Sequence, residues 1–309
     1  MKTILQLCIA MALLASCADK DKNGNVLDTP TAGVITITAD EALKPLIDAE
    51  IKAFEGIYQN ARIDVRSTSE GEALDGLLKN SARMAIVARR LVDSEQKMLL
   101  DQTIVPQQLT VARGGIALIS NRQRTDSTMT LDELTKILTG EIGPVNKFVK
   151  TRVTGISEVV FDQRNSGIIR FLRDSLISVD NLPSYCFAVN SNTAVVEYIS
   201  QNPNALGLID VSWISDRDDS TANSFLNSIR VLGVSADSGF YQPYQAYMAQ
   251  GKYPLLRDVV MISREARSGL ASGFMAFVAS DKGQRIVLKS GLVPATMPIR
   301  IIEVNHEPF

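Results

Sequence analysis

Three short polar stretches hold the residues best placed for chemistry: Thr38-Ala39-Asp40, Ser67-Thr68-Ser69-Glu70-Gly71 and Asn165-Ser166-Gly167. Each follows an apolar or β-branched run and precedes residues at helical spacing, which predicts a strand-to-helix junction. The first four N–H groups of a helix lack partners within it and carry about half a positive charge, so hydroxyls and glycines there let an anion approach the amides. Ser and Thr also cap helices where no ligand binds, so one such junction says little. Three together point to an anion site.

A second kind of chemistry is written at the N-terminus. Lys2, the apolar Ile4 to Ala15 and the closing Leu14-Ala15-Ser16-Cys17 meet the requirements of bacterial lipoprotein processing. Residues 1–16 are read as a signal peptide, Cys17 as the lipidated start of the mature chain, and residues 17–32 as a solvated tether. Two acyl chains at about 0.8 kcal/mol per buried CH₂ give stable membrane anchoring. The body is therefore expected in the cell envelope, outside the cytoplasm, on the periplasmic face or the cell surface. Asp19, Asp21, Asn23 and Gly24 copy half of a calcium loop, but its twelfth position falls on Pro30 where a Glu is needed, so no metal is expected there.

Composition narrows the function classes. The 309 residues, 45% hydrophobic and 21% charged, suit a globular protein of one large two-lobed body or two small domains, and a net charge of −2 without basic runs offers nucleic acid no footing. Cys8 leaves with the leader and Cys17 carries lipid, so Cys186 has no partner for an intramolecular disulfide. A single histidine, His306, removes multi-histidine metal sites and argues against a Ser-His-Asp triad. Ser94-Glu95-Gln96-Lys97 matches Ser-x-x-Lys, but no Ser-Asp-Asn accompanies it, and Lys289-Ser290-Gly291 reads as a helix end with its glycine stop. Binding without catalysis or cofactor is expected.

The elements that must position these residues alternate. Strands are predicted at Val34–Thr38, Ala61–Arg66, Met84–Val87, Gly115–Ser120, Val159–Phe161, Ala205–Val211, Ile229–Val234 and Tyr253–Ile262. Helical spacing joins Leu43, Leu46, Ile47, Ile51 and Phe54, then Leu74, Leu77 and Leu78, then Leu134, Ile137 and Leu138 behind the capping box Thr130 to Glu133. Further helices are read at Ile168–Leu176, Asn192–Ile199, Gly273–Val278 and Gly283–Leu288. This is an α/β pattern with mainly parallel sheets covered by helices.

Taken in order, these segments resemble the phosphate-binding lipoproteins and periplasmic proteins of phosphate ABC transporters. Thr38 to Leu46 is similar to the family's opening loop before a Pro-Leu helix, and Ser67 to Gly71 to its Gly-Ser-Gly loop. Ala85 to Leu91 resembles its ligand-facing strand end, Ala112 to Ile119 its crossing strand, and Leu131 to Gly140 the helix after it. Asn165-Ser166-Gly167 resembles its Gly-Ser-Gly-Thr loop, Gln201 to Gly207 its Asn-Pro-Gly-Ala-Ile-Gly turn, and Gly251 to Leu255 with Gly291 to Pro294 its closing segments. The resemblance implies a type II periplasmic-binding-protein fold with two hinge crossings, lobe 1 spanning 33–119 plus 254–309 and lobe 2 spanning 120–253. It implies capture of phosphate or a similar oxyanion for an ABC permease, with Thr38, Ala39, Ser67, Ser69, Gly71, Arg89, Asp162, Asn165, Ser166 and Gly167 at the ligand.

Departures from the family's pattern leave two readings. Ala88 and Arg89 stand where Asp or Ser is common, Asp162 where Arg is common, and Ile168 where Thr is common. Either cation and acid have been exchanged, with Arg89, or else Arg90 or Arg164, opposite Asp162, or Glu70, Glu72 and Asp162 repel phosphate. In the second case the chain is a ligand-divergent or ligand-free surface lipoprotein acting as a sensor or structural partner.

Overall fold

Branched side chains from Val34 to Thr38 favour extended backbone. In the computed structural model, which describes residues 27–143, 155–177, 181–236 and 239–298, they form β1 (Gly33–Asp40). Parallel neighbours β2 (Ala61–Thr68) and β3 (Met84–Val87) flank it, with Ile37 beside Val65 and Met84. Helix α1 (Lys44–Ile57), with Pro45 in its first turn, joins β1 to β2, and α2 (Glu70–Leu78) joins β2 to β3. A third helix, α3 (Asp93–Leu100), leads to the longest strand, β4 (Gln107–Asn121).

Strand β4 ties the molecule together. Its residues up to Gly115 pair antiparallel with β11 (Leu256–Ser263), whereas Ile116 to Ser120 pair antiparallel with β8 (Ala205–Asp210). A Cβ on Gly115 would lie 3.0 Å from the Leu255 carbonyl and 3.3 Å from the Tyr253 ring, so the glycine permits the close approach where β4 changes partners. Beyond β8 follow β6 (Glu158–Phe161) and β7 (Cys186–Ala188), both parallel, giving the strand order β2-β1-β3-β11-β4-β8-β6-β7. The predicted α/β architecture with parallel strands holds in both flanks, and the central strands add an antiparallel seam.

The second half carries α4 (Leu131–Thr139), α5 (Gly167–Ser175), α6 (Asn192–Gln201), α7 (Ser212–Ser215) and α8 (Ser220–Ser228). After α9 (Gln245–Ala249) and β11 the chain returns to the first half with α10 (Leu270–Ala279) and α11 (Asp281–Lys289). There Phe54 meets Phe274 and Phe277 at centroid distances of 5.3 and 5.4 Å on one sheet face, while Leu74 and Leu77 of α2 pack with Val87 and Ile262 on the other. Across the seam, Val195 and Ile199 of α6 pack on Ile119, Val160 and Ile209.

The predicted stretch Ile229–Val234 divides at Leu232 into β9 (Ile229–Val231), paired with β4, and β10 (Gly233–Ser235), paired with β5 (Thr128–Thr130). Gly291 (φ +74°) follows α11, as its stop signal predicts, and β12 (Val293–Pro294) then pairs with β4. Cys17, the tether up to Val26 and His306 lie outside the described residues. Among the described residues, no helix is long and apolar enough to cross a membrane.

Candidate functional site

Six parallel-type strands end at one cleft, each delivering a polar group from its carboxyl end, where ligands bind in open α/β sheets. Asp40 ends β1, Ser69 and Glu70 follow β2, Ala88 follows β3, Asp162 follows β6, Asn192 follows β7, and Asp210 ends β8. Ser69 caps α2 by accepting from the Glu72 N–H (3.4 Å), and Ser166 caps α5 by accepting from the Ile169 N–H (3.4 Å). A buried cation comes from the antiparallel seam: Arg257, near the start of β11, donates through Nε and Nη2 to Asp210 Oδ2 at 3.1 and 2.6 Å.

The two halves touch across the cleft through named bonds. Glu70 pairs with Arg170 of α5 through Oε1 and, at 3.3 Å, through Oε2. Oε2 also accepts from the Ala88 N–H at 2.9 Å. The Glu41 carboxylate accepts from the Asn192 N–H (3.2 Å) and Nδ2 (2.7 Å), capping α6 from the other half. Ser212 Oγ and Trp213 Nε1 both donate to the Ala42 carbonyl, at 3.2 and 3.0 Å, and the Gly71 N–H donates to the Asn165 carbonyl at 3.3 Å.

Gly167 marks the centre. A Cβ built there would lie 2.6 Å from Asp40 Oδ2, 2.8 Å from Glu70 Oε2 and 3.1 Å from Arg257 Nη1, so three charged groups converge on the first turn of α5. Asp40 Oδ2, Asp162 Oδ1 and Arg257 Nη1 are buried without a hydrogen-bond partner among the described residues. Burial pushes the Asp40 pKa well above the usual carboxylate range, against the pull of Arg257 and with the help of Asp162 and Glu70. Burial likewise raises Asp162 and Glu41. It works against the Arg257 charge too, but Asp210 and Asp40 hold that guanidinium above its ordinary value. Such a site offers a small oxyanion hydrogen-bond donors and acids whose burial favours the protonated form.

The sequence-predicted residues separate into those at the cleft and those away from it. Ser69, Gly71, Asp162, Asn165, Ser166 and Gly167 come together there. Thr38 does not: its Oγ1 donates to the Ala73 and Met84 carbonyls inside the first half. Ala39 is fully buried in the core, and Ser67 is exposed on β2. Arg89 lies at the cleft edge, with Nε 3.8 Å from Glu70 Oε1, but its fork makes a bidentate pair with Glu95 at 2.6 and 2.7 Å, and Arg257 is the cation beside Asp162. A pair between Arg89 and Asp162 is not found among the described residues, and the cation acting on the buried acids is Arg257. Ser94 and Lys97 are exposed on α3. Asp40, Glu41, Glu70, Arg170, Asn192, Asp210 and Arg257 were not among the predicted ligand residues. For Arg257 a signal existed: a charge on a strand face shared with Val259 and Met261.

A family profile described as a PBP superfamily domain matches residues 26–282. The phosphate-binding protein PstS of Pseudomonas aeruginosa is 20% identical over 298 residues, covering 88% of this chain and 85% of its own length. A Clostridium perfringens protein, assigned as a phosphate ABC transporter substrate-binding protein and solved with bound phosphate, superposes with a TM-score of 0.71 at 18% identity, over 85% of this chain and all of that one. An ABC-type phosphate transport receptor from Vibrio cholerae gives 0.62 at 18% identity, with the same coverage. Matched by its family profile over most of its length and by its two-half α/β fold, the chain belongs to the PBP superfamily.

Proposed function

We propose that this chain is the solute-binding component of an ABC transporter, capturing phosphate or a related oxyanion between lobes 33–119 plus 254–309 and 120–253. Outside the cytoplasm it is held to the membrane by lipid on Cys17. The observation that carries the reading is Arg257 Nη1, a buried guanidinium donor without a partner among the described residues, beside the N-terminus of α5. Relatives named for phosphate binding and transport support it. Ser69, Gly71, Asp162, Asn165, Ser166 and Gly167, with Asp40 and Arg257, are the proposed ligand residues, and binding proceeds without turnover. Calorimetry with phosphate is expected to give one site per chain, and phosphate at about 100 times its dissociation constant should stabilise the fold by about 2.7 kcal/mol. Cys17→Ala should move the protein out of the membrane fraction.

The surplus of acids favours a second reading. Asp40, Glu41, Glu70, Asp162 and Asp210 crowd one cleft, and like charges repel an incoming anion. A thermal transition unmoved by phosphate or sulfate would select the ligand-divergent lipoprotein, a sensor or structural partner.

A further inference from the structure

Glu70 stands apart among the cleft acids because it is already seated as a ligand would be. Its Oε2 accepts the Ala88 N–H at 2.9 Å, lies 2.8 Å from where a Cβ of Gly167 would stand, and receives Arg170 Nη2 at 3.3 Å. Arg89 Nε lies 3.8 Å from its other oxygen. These are the groups an oxyanion would use: a strand-end amide, the first turn of α5 and the Arg170 guanidinium, with the Arg89 charge close by. The donors belong to both halves, with Ala88 and Arg89 on the same half as Glu70 and Arg170 on the other. The side chain is 3% exposed, so no water layer screens it.

We propose that Glu70 is a built-in occupant of the cleft: its carboxylate takes an oxyanion seat, latches the two halves together, and competes with any external oxyanion for that seat. This rests on reading the cleft as an oxyanion site. A ligand must then either displace Glu70 or bind beside it against its charge, and like charges brought together in a desolvated site cost several kcal/mol. Removing the charge therefore loosens the closed form and strengthens anion binding.

Trp213 makes the test direct. It is the only tryptophan, it is half-buried, and its indole N–H bonds the Ala42 carbonyl across the cleft, so its emission follows closure. Wild type, Glu70→Gln and Glu70→Ala are titrated with inorganic phosphate while Trp213 emission is read, with folding checked by circular dichroism. Gln keeps the shape and the acceptor for Ala88, so it carries the test should the Ala variant fail to fold. Without phosphate, both variants are expected to emit to the red of wild type. Phosphate should return them to the blue, with half-saturation about tenfold or more below that of wild type. Variants that emit like wild type and bind phosphate equally or more weakly overturn the occupant, while wild-type binding leaves the phosphate reading standing. Red-shifted variants that no phosphate concentration restores support the latch and sink the phosphate reading instead.

Discussion

Glu50 shows what one residue costs when its environment is wrong for its charge. It lies on the buried face of α1 between Ile47 and Phe54, 2% exposed, and neither carboxylate oxygen has a partner among the described residues. Burial pushes its pKa from 4.5 to about 9. An acid whose folded-state pKa is raised holds its proton in the fold and releases it on unfolding, so its contribution is complete below 4.5 and is lost as pH rises towards 9. Glu50→Gln removes that loss. The variant's advantage over wild type should grow with pH between 4.5 and about 9, reaching several kcal/mol at mildly alkaline pH, and should close near pH 4.5. Urea unfolding across pH checks this, and parallel curves for the two proteins would refute it.

At the scale of elements, two helical glycines should respond oppositely to the same substitution. Alanine is favoured over glycine inside a helix by about 1 kcal/mol. Gly56, near the end of α1, has nothing within 4 Å of a new Cβ, so Gly56→Ala should stabilise the protein by up to about that amount. Gly167 opens α5 against Asp40 Oδ2 at 2.6 Å from the same atom, so Gly167→Ala should force the halves apart, lower the unfolding midpoint and shift Trp213 emission to the red. The elements themselves were largely legible. The capping box was legible too: Thr130 and Glu133 do bond reciprocally, at 3.1 and 2.9 Å, because such signals are local. Helix α3 was not, since its charged sequence buries only Leu99, nor was β7, a short half-buried strand at the sheet edge. The caps Ser69 and Ser166 were visible for the same local reason. Glu70 with Arg170, 100 residues apart, and Arg257 with Asp210, 47 apart, meet only through the packed halves, and no spacing rule reaches that far.

For the whole molecule, the cleft's acids link solute binding to pH. Asp40 faces Arg257, Asp162 and Glu70 and accepts from the Ala42 N–H, while Asp162 faces Asn192 and Arg257. Burial raises both acids, so each stays neutral over a range where an exposed carboxylate has ionised, and a neutral carboxyl can donate to an oxyanion that its ionised form repels. The sign follows. Lower pH keeps both protonated and favours the anion, whereas rising pH through their raised values adds charges to a cleft where Glu70 and Asp210 already pair with Arg170 and Arg257. Phosphate changes its own charge near neutrality, so sulfate, whose charge is constant there, isolates the protein's contribution. Calorimetric titrations of sulfate at acidic, neutral and alkaline pH should give affinities that fall as pH rises. Asp40→Asn combined with Asp162→Asn should flatten that slope, because amides keep the shape and hydrogen-bonding capacity but cannot ionise. A wild-type slope that survives in the double variant would assign the titration to other groups and remove these two acids from the proposed binding role.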